Sequence, residues 1–336
     1  MNPSGIRIRG TFACIGLVAS IALVGAGIRP VQAQEAFPSK PIHIIVPFPA
    51  GGALDFIART LGEQIAKRTG QQVLTDNRPG GNSIIAAEAL MKSAPDGYTV
   101  FLTNMDTHVN NVGVFKTLPY DPIRDFQPLG IVASGGAMLV VNSGLPVKTL
   151  DEFVAYARTH PNEVSFGTWG PGSYSDLAGH SFARVNRLEM NIVPYKGETP
   201  IMQDLLGKNL ASAMASVLIA KPHIEKGSLR AFAINGSARA ALMPDLPTFT
   251  ELGYTDPILT MQPWFGLYAP AKTPRPLADK WNQLYRDALA DPGVRQSLID
   301  RGFDPTGSSI AEHEERLRAQ IKTFTQLMRE IGIQPQ

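Results

Sequence analysis

The chain has 336 residues, of which 44% are hydrophobic and 18% charged, with 31 Lys and Arg against 29 Asp and Glu. A chain of this length buries roughly three quarters of its unfolded surface, enough for two domains. The near-neutral balance excludes functions that need clustered basic residues, so no nucleic-acid partner is expected.

The leader comes first in chain order. Arg7 and Arg9 precede the apolar run Thr11 to Gly27, and Val31-Gln32-Ala33 offers small residues at the −3 and −1 positions of a cleavage site. This is the pattern of a secretory signal peptide over residues 1–33, cleaved near Ala33. Its apolar run is shorter than the roughly 20 residues a membrane span needs. The 336 residues less these 33 leave 303, and the 31 basic residues less three, against 29 acids, give a charge of −1. Cleavage also removes Cys14, the single cysteine. The mature chain then has no disulfide, thiolate metal site or cysteine nucleophile.

Short apolar strands alternate with glycine-rich turns and amphipathic helices. Ile42 to Val46 reads as a strand, and Leu54, Ile57, Ala58, Leu61 and Ile65 recur at helical spacing up to Thr69. Gln72 to Thr75 is a strand, Ser83 to Ser93 a helix, and Tyr98 to Thr103 a strand after the Asp96-Gly97 turn. Such repetition points to parallel α/β sheets. A second series places strands at 137–141, 164–166, 191–193, 210–215 and 229–234. Its helices lie at 149–159, 175–186 and 199–206. Thr149-Leu150-Asp151-Glu152 and Ser309-Ile310-Ala311-Glu312 are capping boxes. Trp264 to Tyr268 resumes strand character, and Pro274-Arg275-Pro276 opens the first of three C-terminal helices.

The six histidines are scattered, none at a metal-ligand spacing; Asp176 and His180, four apart on a helix, read as a surface ion pair. No nucleophile stands beside a base, so neither catalysis nor a metal or cofactor is expected. Three glycine-rich turns, at 49–52, 80–83 and 170–173, stand before helices. Helix starts expose unpaired amides and a partial positive charge, which makes them anion sites; they are equally the form of ordinary tight connections.

Pro38-Ser39-Lys40-Pro41-Ile42, Ile45 to Gly52 with Asp55, Asn77-Arg78-Pro79-Gly80, Ala94 to Tyr98, Leu118 to Pro122, Pro194-Tyr195-Lys196-Gly197, Pro222-His223-Ile224 and Trp264 to Leu267 occur in order along the chain. In these motifs it resembles the Bug family, the periplasmic solute-binding proteins of tripartite tricarboxylate transporters. The resemblance implies a two-lobed α/β fold of the type II periplasmic binding protein kind with a ligand cleft between the lobes. Lobe one would take 37–134 plus 262–336, and lobe two 135–261. It also implies a periplasmic monomer that captures a small organic carboxylate, a dicarboxylate or an aromatic acid, for membrane subunits of such a transporter. A secreted α/β enzyme acting on a carboxylate is the competing reading, and an interaction module without a small ligand a third.

The site residues this implies are Ala50, Gly51, Gly52, Ala53 and Asp55 of the first turn, Asn104 beyond a lobe-one strand, Thr168, Gly172 and Ser173 of the lobe-two loop, and Ser216. Backbone amides at 51–53, with Thr168 and Ser173, would hold the anion. Asp55 either contacts ligand or only compensates the helix start. Trp169 either stacks on a ring or packs its loop. Ser216 stands where amino-acid-binding members carry an acid, which implies ligands without an amine unless Asp106 supplies the carboxylate.

Overall fold

Ile42, Ile44, Ile45 and Val46 are buried in a five-residue run, the form of a strand covered on both faces. The computed structural model describes residues 37–330 and Pro335; the leader read over residues 1–33 lies outside them. In chain order the strands are β1 (Ile42–Val46), β2 (Val73–Asn77), β3 (Thr99–Asn104), β4 (Phe126–Gly135), β5 (Ala137–Asn142), β6 (Ser165–Thr168), β7 (Asn191–Pro194), β8 (Ser212–Ser216), β9 (Leu229–Ile234), β10 (Trp264–Pro270) and β11 (Phe303–Pro305). They form a six-stranded sheet of order β11-β4-β10-β3-β1-β2 and a five-stranded sheet of order β7-β6-β8-β5-β9.

The expected parallel pairing covers only part of each sheet. β1 runs parallel to β2 and β3, and β6 parallel to β7 and β8. β10 is antiparallel to β3 and β4, and β5 is antiparallel to β8 and β9. Both sheets are therefore mixed. A parallel neighbour needs a crossover connection, and β10 reaches β3 from the other sheet without one.

Helix Ala53–Thr69 buries Leu54, Ile57, Ala58, Leu61 and Ile65, the residues its periodicity singled out. It ends at Gly70, whose left-handed φ of 70° carries its amide to the Ala66 carbonyl. In the Ser309 capping box both partners engage, Glu312 N–H donating to Ser309 Oγ and Ser309 N–H to Glu312 Oε2. Residues 38–330 belong to one compact unit. The chain crosses from the first sheet to the second through Gly135-Gly136 and returns at Pro263, where Gly135 N–H donates to the Pro263 carbonyl at 3.0 Å. Among the described residues no helix is long and apolar enough to cross a membrane.

The structure adds elements without a clear sequence signal, among them β4, β11 and the helical segments at 106–114 and 217–225. Pro128 and Gly130 break the strand signal of β4, yet the register shifts opposite Gly266 and Tyr268 accommodate them. Gly130 has φ of 146°, and an added Cβ would lie 1.9 Å from Tyr285 Oη and 2.8 Å from the Ser308 carbonyl. Gly130→Ala is therefore expected to destabilise the protein by about 3 kcal/mol through backbone strain and overpacking, read as a lower urea midpoint.

Candidate functional site

A cleft lies where residues of the two sheets face each other. The first sheet and its connections supply Phe48, Pro49, Gly52, Ala53, Leu54, Asn104, Gly135, Phe265 and Phe303. Ala137, Trp169, Glu198, Thr199 and Ser216 come from the second, and Gly136 and Pro263 from the crossings. A neighbouring cavity shares Phe48 and Trp169 and is lined further by the 80–83 turn, Tyr195 and Lys196.

Helix Ala53–Thr69 opens on the cleft at Gly52, which supplies no side-chain cap. The turn before it is braced by buried Asp55, which accepts from Gly51 N–H at 3.0 Å and from Arg59 Nε at 2.9 Å. Burial raises the Asp55 pKa, but the bonds from Arg59, Gly51 and Asn77 outweigh it and leave the carboxyl below its ordinary value.

From the second sheet, helix Glu198–Leu206 brings Glu198 to the cleft wall. Its carboxylate accepts from the Ser216 amide and, at 3.0 Å, from Ser216 Oγ. Ser216 is the N-cap of the next helix, Val217–Glu225, so one carboxylate stands at two helix starts, where negative charge is favoured. Desolvation nonetheless pushes Glu198 up to about 7, against the two bonds from Ser216.

Asp106 lies beneath the cleft and does not line it. Its Oδ1 accepts from the Tyr174 amide at 2.9 Å and Asn110 Nδ2 at 2.7 Å, and its Oδ2 from Asn104 Nδ2 at 2.7 Å. Full burial, with Asp176 adding repulsion, raises it to about 7. It joins the end of β3 to the start of helix Tyr174–Asn186.

This architecture has known counterparts. Residues 57–333 match the model of a family described as the tripartite tricarboxylate transporter family receptor. BugT of Bordetella pertussis is 32% identical over 316 residues, 94% of this chain and 96% of that protein. The chain belongs to the tripartite tricarboxylate transporter receptor family. Among similar structures, R. palustris Rpa4515 with adipate has a TM-score of 0.85 at 29% identity, covering 89% of this chain and 100% of that one. MatC (Rpa3494) from Rhodopseudomonas palustris, with bound malate, has a TM-score of 0.81 at 29% identity, covering 87% and 99%.

In this receptor Gly52, Ala53, Asn104 and Ser216 share the cleft, while Ala50, Gly51, Asp55, Thr168, Gly172 and Ser173 are not among its lining residues. The Gly51 amide is engaged by Asp55. Gly172 N–H donates to Asp176 Oδ2 at 2.8 Å, and Ser173 Oγ caps helix Tyr174–Asn186 by accepting from the Asp176 amide. Thr168 is fully buried. Trp169 lines the cleft and also packs near Tyr174, ring centroids 6.3 Å apart.

Ser216 does not leave the cleft without an acid: Glu198 lines it, in contact with Ser216 itself. The sequence signal was an acid directly after Gly197 at a helix start, outside the three turns singled out for glycine.

Glu198 also leaves a mark on stability. Its folded pKa of about 7 lies above its ordinary 4.5, so the folded state holds the proton longer than the unfolded state. Stability is therefore lost as pH rises between these values. Relative to wild type, Glu198→Gln is expected to gain stability from pH 4.5 to pH 7 and no more above it, measured by urea denaturation of both proteins without ligand.

Proposed function

We propose that this chain is an exported receptor that captures a small organic carboxylate, a dicarboxylate or an aromatic acid, for the membrane subunits of a tripartite tricarboxylate transporter. It works in the periplasm as a monomer, by binding alone. The observation that carries this reading is the cleft itself. The uncapped start of helix Ala53–Thr69 faces apolar walls of Phe48, Leu54, Phe265 and Phe303. A helix start holds a carboxylate through its amides and dipole, and the walls hold the carbon skeleton. Membership in a receptor family, and neighbours solved with adipate and malate, support the same ligand class. No observation favours the reading as a secreted enzyme.

In this reading lobe one is 37–134 plus 262–336 and lobe two 135–261, a division supported by the two separate sheets. The pairing of Gly135 with Pro263 puts the two crossings side by side, where closure would bend the chain.

N-terminal sequencing of the exported protein is expected to start near Gln34. A thermal-shift screen of dicarboxylates, aromatic acids and amino acids tests the ligand class; a ligand at a hundredfold excess over Kd stabilises by about 2.7 kcal/mol. Gly52→Val probes the helix start. At Gly52 a Cβ meets only the Pro49 carbonyl at 3.7 Å, so the variant folds while its branches enter the cleft. Affinity is expected to fall at least about tenfold, or ~1.4 kcal/mol, at unchanged melting temperature without ligand. Unchanged affinity would place the carboxylate elsewhere.

A further inference from the structure

We infer that Glu198 and Asn104 set the specificity of this cleft, selecting carboxylates that also carry an amine over the same acids without one. The inference rests on the carboxylate reading above and narrows it to amino derivatives of such acids.

Donors and acceptors in the cleft are out of balance. Ser216 has spent both its amide and its hydroxyl on Glu198. Glu198 keeps further lone pairs, since a carboxylate offers about four acceptor positions. It has no ion-pair partner among the described residues, and it is the one ionisable side chain among those lining the cleft. Asn104 is 5% exposed. Its Nδ2 is held by Asp106, which fixes the amide orientation. Its Oδ1 is then a buried acceptor without a hydrogen-bond donor. An acid and an orphan acceptor thus line the same cleft, with no cation among the lining residues.

A plain organic acid brings acceptors and negative charge. It leaves Asn104 Oδ1 unmatched and meets Glu198 as a like charge. An ammonium group brings three donors and the missing cation. The open start of helix Ala53–Thr69, on the same cleft, suits the carboxylate of the same molecule.

Protonation adds a second readout, because burial raises Glu198 to about 7. The elements packed against its helix carry few ionisable groups. β5, β6 and β8, packed against its helix, carry no ionisable residue. The adjoining helix Val217–Glu225 carries Lys221 paired with Glu225, and His223. On Glu198's own helix, Asp204 accepts from Tyr195 Oη.

Calorimetry with matched pairs tests the inference: succinate and aspartate, glutarate and glutamate, 3-phenylpropionate and phenylalanine, at pH 8 and pH 5.5. For the pair that binds, the amine-bearing member is expected to bind wild type at least about tenfold tighter at pH 8. Glu198→Gln should remove most of that preference. Acidification should weaken the amino acid and strengthen the plain acid in wild type, with little change in Glu198→Gln. Equal or tighter binding of the plain acids to wild type overturns the inference and leaves the carboxylate reading standing. An undiminished preference in Glu198→Gln also overturns it; should that variant fail to fold, Glu198→Thr carries the same expectation. Binding of none of the six overturns the carboxylate reading, and this inference with it.

Discussion

The buried carboxylate of Asp106 is the constraint on which the rest of the site depends. A charge without solvent must be matched by donors, and three are supplied here: Asn104 and Asn110 beside the end of β3, and the first amide of helix Tyr174–Asn186. One side chain from the segment after β3 of the first sheet thereby caps a helix that packs on the second. The same carboxylate decides the chemistry above it. By taking Asn104 Nδ2, it leaves Asn104 Oδ1 as the group unmatched beside the cleft.

Helix starts are the recurring device, and each is treated differently. The start at Tyr174 is closed by the Ser173 hydroxyl, by Asp176 on Gly172, and by Asp106. The start at Val217 is occupied by Glu198. The start at Ala53 has no side-chain cap, though Asp55 and Arg59 brace the turn before it. Identical backbone electrostatics thus give one tie between segments, one internally filled anion site and one open site.

The scattered histidines show a similar economy. His108 stacks flat on Tyr268 at 3.8 Å, and His313 Nε2 lies 2.9 Å from Tyr268 Oη. Burial holds both imidazoles neutral, with His313 lowered to about 3. Among the described residues no group of three His, Cys, Asp or Glu side chains is placed to hold a metal ion. These histidines serve as flat aromatic filling for the first sheet's core.

Periodicity and capping residues determined much of this protein directly. β1, helix Ala53–Thr69 and the boxes at Thr149 and Ser309 depend on neighbours a few positions away, so local sequence carries them. The ordered motifs gave the family for the same reason. β4 was not legible, because its Pro128 and Gly130 make sense only where β4 itself bulges against β10 and packs on Tyr285. Nor were the mixed sheets, since strand direction is set by which strand arrives from the other sheet. At the site, Gly52, Ala53, Asn104 and Ser216 were read from sequence and share the cleft. Glu198 was not, because 18 residues separate it from Ser216 and only the packing of one helix start against another brings them together. Whether a glycine turn is open or already filled is likewise a tertiary matter: the amides are present in every such sequence, and the fold decides which of them another side chain has taken.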